Sequence, residues 1–249
     1  MLSRAATVET AFTIPTRWLN NIIGVFLLPV VWVLTAALFT AFAQAAQQPD
    51  FWRTEEFLFF VFGAAGWLII FFASLYAFGE PRPLRVYVFG HELTHAIWAQ
   101  AMGGKVFEFE HSREGGYVVT DKHNFWIALA PYFHPLYAVL VIAGYGAISV
   151  FYDVSAYTPA LFALLGLTWS FHLSFTVWMI LKGQSDLARN GTFFSLLLIY
   201  LLNLLLLAGA LVFMAPEVTF AGFWRELERH AITFTDAVMT LITAMVAAG

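Results

Sequence analysis

Residues 18–43, 57–78, 125–151, 158–181 and 192–214 form apolar runs, each longer than the ~20 residues a helix needs to cross lipid hydrocarbon. That constraint decides the fold class. Backbone N–H and C=O groups meet no water inside a bilayer, so each run must satisfy them internally as a helix. Composition agrees, with 61% of residues hydrophobic and 11% charged, against about 25% charged in soluble domains. The chain therefore reads as an all-α polytopic membrane protein whose surroundings are the lipid bilayer. A net charge of −4 carries no signature of nucleic-acid binding, and no Lys/Arg cluster marks a patch for anionic lipid. The absence of cysteine excludes disulfides and thiolate metal ligands. Arg4, Arg17 and the run ending Ala41-Phe42-Ala43 imitate a secretory signal. The apolar run is too long for the core of one, and it reads as an uncleaved span.

Punctuation between the runs supplies the rest of the layout. Gly79-Glu80-Pro81-Arg82-Pro83 cannot continue a helix. Residues 84–102 then form a third helix, stopped by Gly103-Gly104. The polar stretch 105–124 alternates at period two in Val106-Phe107-Glu108-Phe109-Glu110 and again in Tyr117-Val118-Val119-Thr120, about a Gly115-Gly116 pair. This predicts a β-hairpin. Pro131 and Pro135 interrupt the run 125–151, and residues 182–191 are a short polar break. From Pro216 the tail is amphipathic, with Phe220, Trp224, Leu227, Ala231, Phe234 and Val238 at helical spacing. It is expected to lie on the membrane surface or pack on the bundle rather than span. The expectation is about six transmembrane helices, counting 84–102, with a short hairpin after that helix. Residues 1–83 supply two leading helices, 84–191 a core, and 192–249 the last span and the tail.

The chemistry sits in the third helix. His91-Glu92-Leu93-Thr94-His95 has the H-E-x-x-H form. Positions i and i+4 share one helix face, so the two imidazoles can grip one Zn²⁺ while Glu92 handles protons. With seven histidines in the chain, a chance match is expected in about one chain in a hundred. Three ionisable side chains in an apolar helix are also costly, roughly 2.5–3.5 kcal/mol for a charged one, unless they face protein or a wet cavity. A catalytic zinc needs a third protein ligand. Asp186, in the polar break, is one candidate, its alternative role being to cap the following helix. His172, in mid-span, is another, as ligand, as donor to a ligand, or bonded to a neighbouring helix. Unbroken helix between them would separate the two by about 21 Å, so one excludes the other. His134, between Pro131 and Pro135, can offer a hydrogen bond into the site. Glu226 and Glu228 read as a solvated face of the tail, and His111, His123 and His230 as exposed.

These residues resemble a known family. His91-Glu92-Leu93-Thr94-His95-Ala96-Ile97-Trp98-Ala99 followed by Gly103-Gly104-Lys105-Val106 is similar to the site-2 protease (M50-like) family of intramembrane zinc metallopeptidases. Ala130-Pro131-Tyr132-Phe133-His134 resembles that family's Gly-Pro-x-x-Asn segment, with Ala130 for Gly and His134 for Asn. Gln184-Ser185-Asp186-Leu187 is similar to its Leu-Asp-Gly element, with Leu187 for Gly, while Trp178 and Leu181 stand where an Asn-x-x-Pro usually precedes it. The resemblance covers about residues 84–191. It implies zinc held by His91, His95 and Asp186, peptide hydrolysis with Glu92 as general base, and a donor such as His134 for the oxyanion. It also implies a single-span membrane protein or peptide as substrate, and a multi-pass protein of the cell (inner) membrane of a bacterium. Two other readings remain open at this point. One is a gluzincin-like membrane protease whose third ligand is a tail Glu. The other is a pseudoprotease that only binds membrane helices, against which the intact Glu92 speaks.

Overall fold

The computed structural model describes residues 16–112, 115–215 and 217–248; Arg4 and Pro216 lie outside them. The chain is an all-α polytopic membrane protein with one small antiparallel hairpin. In order it forms α1 (Thr16–Ala46), α2 (Glu55–Phe78), α3 (Leu84–Ala101), β1 (Val106–His111), β2 (Gly116–Thr120), α4 (Phe125–Phe133), α5 (Leu136–Ser149), α6 (Thr158–Lys182), α7 (Ser185–Asn190), α8 (Thr192–Met214) and α9 (Phe220–Ala248). Large apolar side chains point outward along the long helices, as at Phe26, Ile69 and Phe213. Such a surface suits hydrocarbon and not water.

Among the described residues, five helices are long and apolar enough to cross a membrane: α1, α2, α6 with the turn before it, α8 and α9. A sixth arises if α4 and α5, bent by 72° where they meet, count as one broken span. The bend has a local cause. Pro135 has no N–H to give, and the Leu136 N–H turns to the His134 carbonyl at 2.8 Å, so the helical ladder breaks there.

The set of spans differs from the sequence expectation in two places. Helix α3 is not among the five, because Arg85, His91, Glu92 and His95 dilute its apolar content. Helix α9, expected to lie on the surface or pack on the bundle, runs 29 residues and is also long and apolar enough to span. Its charged first turns, Arg225 to Arg229, disguise the apolar second half. Its first turns lie antiparallel on α1: the Gln44 amide donates to Glu226 Oε1 at 3.0 Å, Thr40 Oγ1 meets His230 Nε2 at 2.9 Å, and Trp32 packs on Phe234.

The leading helices are built into the bundle. Helix α1 packs on α8 and α9, and α2 pairs with α6. That second pair is close because glycine faces backbone on both sides: a Cβ on Gly63 would overlap the Ala163 carbonyl, and one on Gly166 the Phe60 carbonyl. Without a hydrophobic force between helices in lipid, such backbone approach is a main source of association. Beside it Trp67, Phe71, Phe171 and Phe175 form an aromatic cluster against α3.

We predict that Gly63→Ala and Gly166→Ala each lower the thermal unfolding midpoint in detergent, with overpacking costing about 1–3 kcal/mol. Gly144→Ala and Gly146→Ala, where a Cβ meets nothing within 4 Å, should leave it unchanged or raise it, since Ala favours helix. Equal midpoints in all four variants would contradict the close α2–α6 contact.

Candidate metal centre

Two residues one turn apart on α3 begin the site, and each imidazole is oriented through the nitrogen facing away from it. His95 Nδ1 lies 2.8 Å from the Ile127 carbonyl of α4. A carbonyl only accepts, so this nitrogen carries the proton, and Nε2 keeps its lone pair toward the site. His91 Nδ1 meets the Tyr87 hydroxyl at 3.2 Å. Tyr87 is itself stacked on Phe175 of α6, with ring centroids 4.5 Å apart, so the aromatic cluster reaches the histidine through it. Helix α3 comes this close to α5 because Gly90 has no side chain: a Cβ there would stand 2.8 Å from the Tyr137 ring.

The third group comes from the break between α6 and α8. Gly183, at φ 79°, ends α6 and Gly191, at φ 91°, precedes α8, which leaves room for the six-residue α7. Asp186 lies inside the first turn of α7, and Gln184 holds the N-cap position. Its carboxylate is therefore free of the capping role and turns toward the histidines. The Leu187 side chain anchors α7 in the core formed by α4 and α8. Helix α1 fixes the other end: Asn20 Nδ2 donates to the Asn190 carbonyl at 3.0 Å, and Asn21 Oδ1 accepts from the Phe194 N–H at 3.3 Å.

Asp186 Oδ2 stands 3.7 Å from His91 Nε2 and 3.6 Å from His95 Nε2. These separations are too long for hydrogen bonds. They are close to the ~3.4 Å between neighbouring ligands around a tetrahedral ion with bonds near 2.1 Å. All three ligand atoms lie within 4.8 Å of one another, and the group can hold a metal ion. Burial alone would raise the Asp186 carboxyl, but the two histidine side chains outweigh it and hold it below the ordinary carboxylate range. A carboxylate that ligates a metal must be in its ionised form.

The triad opens into a cavity of about 720 Å³, whose wall also includes Glu92, Gly116, His123, Asn124 and Arg189. Glu92 is buried, 8% exposed, beneath strand β2. A Cβ on Gly116 would sit 2.6 Å from Glu92 Cγ and 2.6 Å from the Glu110 carbonyl. Glycine is required for the hairpin to cover the glutamate. Among the described residues, strand β2 pairs only with β1 in a two-stranded sheet, and its residues Gly116, Tyr117, Val118 and Thr120 line the cavity.

The other candidates lie elsewhere. His134 caps the C-terminal end of α4 and faces a separate small cavity with His172, against the far side of His91. It is not among the residues lining the metal cavity. His172 is buried in α6 and outside the ligand group. Glu226, the tail carboxylate of the gluzincin-like reading, is held by Gln44 and Arg229 on α1 and α9, and it lines a different pocket. Glu228 accepts from Trp224 Nε1 at 3.2 Å. Of the histidines read as exposed, His123 is exposed but lines the metal cavity, His111 packs on Phe89, and His230 is half-buried against α1.

Sequence reasoning missed Tyr87, Tyr132, Asn20 and Asn21. The asparagines had a readable signal, as two amides inside an apolar run are costly without partners. Tyr87 stands one turn before His91 on the same face, a relation also legible at i, i+4. Tyr132 had none, since only the fold brings it to Asp186. No protein-family model, no curated protein and no solved structure matches the chain.

The geometry predicts about one divalent metal ion per purified chain, from one three-ligand group. His91→Ala and His95→Ala should abolish binding, and Asp186→Asn should weaken it severely, whereas Glu226→Gln should bind as the native chain does. Elemental analysis and chelator competition measure this. Full occupancy in Asp186→Asn would remove that residue from the site.

Proposed function

We propose that the chain is an intramembrane zinc metalloendopeptidase of the site-2 protease kind, hydrolysing a peptide bond in or near a transmembrane segment of a membrane-protein substrate. The observation that carries this reading is the meeting of His91, His95 and Asp186 at metal-ligand spacing, in the cavity that also holds Glu92. Two imidazoles and a carboxylate, with an open side for water, are a donor set suited to catalytic zinc. Resemblance over residues 84–191 points the same way and suggests a bacterial inner membrane. When bound, zinc supplies a Lewis acid that polarises the scissile carbonyl and lowers the pKa of water toward ~7.

The chain's own residues do the rest. Glu92 takes the proton of the attacking water and returns it to the leaving amine. Its position next to His91 in sequence, yet under Gly116 in space, sets it at the cavity wall between the ligand group and β2. A transmembrane helix has no free backbone groups, so a substrate segment has to unwind before it can be cut. The outer edge of β2 offers unpaired N–H and C=O groups to such an extended segment, by strand addition. A binder without chemistry has no use for a buried carboxylate in this place. The tail-Glu alternative loses its ligand, because Glu226 is occupied on α1.

The test compares membrane-protein fragments in cells carrying the native chain with those carrying Glu92→Gln. Loss of the general base should lower hydrolysis by about 10²–10⁴-fold while zinc remains bound. Fragments ending within transmembrane segments should appear with the native chain alone. Identical fragment sets in the two strains would refute the protease reading.

A further inference from the structure

Tyr132 is fully buried, and it is tied at both ends to groups that matter. Its hydroxyl donates to Asp186 Oδ2 at 3.1 Å, the same oxygen that faces both histidines. Its ring meets His91 edge-on, with centroids 5.2 Å apart and planes at 87°. Its carbonyl lies in the last turn of α4, where the break at Pro135 deprives it of a helical partner. Asn203 of α8 supplies that partner, with Nδ2 donating to the Tyr132 carbonyl at 3.0 Å. Helices α3, α7 and α8 thus hold one tyrosine of α4.

We propose that Tyr132 is the positioning residue of the metal centre: its phenol fixes the Asp186 carboxylate in the orientation that meets His91 and His95, and Asn203 fixes Tyr132. The inference rests on the metal-binding reading of His91, His95 and Asp186. A physical need for such a group is plain. Asp186 rides on six residues of helix between two glycines of positive φ. A helix that short has little stability of its own. Its aspartate side chain must be set from outside, and donors to ligating groups do this in metal sites generally. Leu187 and Asn190 fix the helix as a body, but neither touches the carboxylate. The bend at Pro135 also gains a purpose, because it frees the Tyr132 carbonyl for Asn203.

The experiment uses the full chain in detergent, stripped of metal and titrated with zinc against a chromophoric chelator, then with Co²⁺ to read its visible absorption. Tyr132→Phe removes only the hydroxyl. It should weaken zinc binding by about 10–100-fold and alter the Co²⁺ spectrum, without moving the metal-free melting midpoint much. In an Asp186→Asn background the same change should cost nothing further, since the hydroxyl acts through that carboxylate. Asn203→Leu, which keeps the phenol but cuts its rear support, should weaken zinc several-fold. Native-like zinc affinity in Tyr132→Phe would overturn the proposal and leave the metal site standing. An equal additional loss on top of Asp186→Asn would overturn it too, showing a general packing role. A native chain that binds no zinc would overturn the metal reading itself, and this inference with it.

Discussion

Every polar group placed among lipid-facing helices has to be matched by protein or by a wet cavity, and the Asp186 carboxylate is where this constraint bears hardest. It is carried on a break between two membrane helices, and it lies beside two imidazoles on α3. The arrangement is tolerated because the cavity next to it is polar and open, and because irregular backbone is acceptable where it lines water. Each neighbouring element can be read as a consequence. Helix α7 exists because Gly183 and Gly191 end the helices on either side, and α1 closes on it through Asn20 and Asn21. The aromatic cluster of α2 and α6 presses Tyr87 toward His91.

The hairpin answers the same constraint from the other side. Glu92 lies on the cavity wall, and β2 covers it there through the close approach of Gly116. The cover brings an open strand edge to the cavity wall. One feature thereby serves both stability and the proposed hold on an unwound substrate.

Much of this was legible in the sequence, for reasons that differ by residue. His91 and His95 could be paired because i, i+4 spacing on a helix fixes their relation without any tertiary knowledge. The helices and the hairpin followed from run length, glycine and proline breaks, and period-two alternation, and the hairpin pairs from His111–Gly116 to Glu108–Val119 before a register shift leads to Val106–Thr120. The sharp bend at Pro135 was readable as an interruption, though not as a 72° turn. Helix α9 packs on α1 as one of the two expected arrangements, and its apolar second half also makes it long and apolar enough to span. Asp186 was nominated from its costly position and from resemblance, but its partner Tyr132 was not. Contacts that join residues 54 apart in sequence arise from three-dimensional packing, and periodicity contains nothing of them. His134 illustrates the same limit. Its place between two prolines suggested a donor aimed at the metal, and the bend carries it instead to the far side of His91.

Zinc K-edge X-ray absorption of the loaded native chain tests the central claim most directly, since it reports what surrounds the ion rather than whether one is present. The account predicts two imidazole nitrogens at about 2.0–2.1 Å and a carboxylate oxygen at about 2.0–2.2 Å in a four-coordinate shell, with imidazole scattering lost in His91→Ala and His95→Ala. A shell of oxygens with no imidazole signature, unchanged by those substitutions, would contradict it.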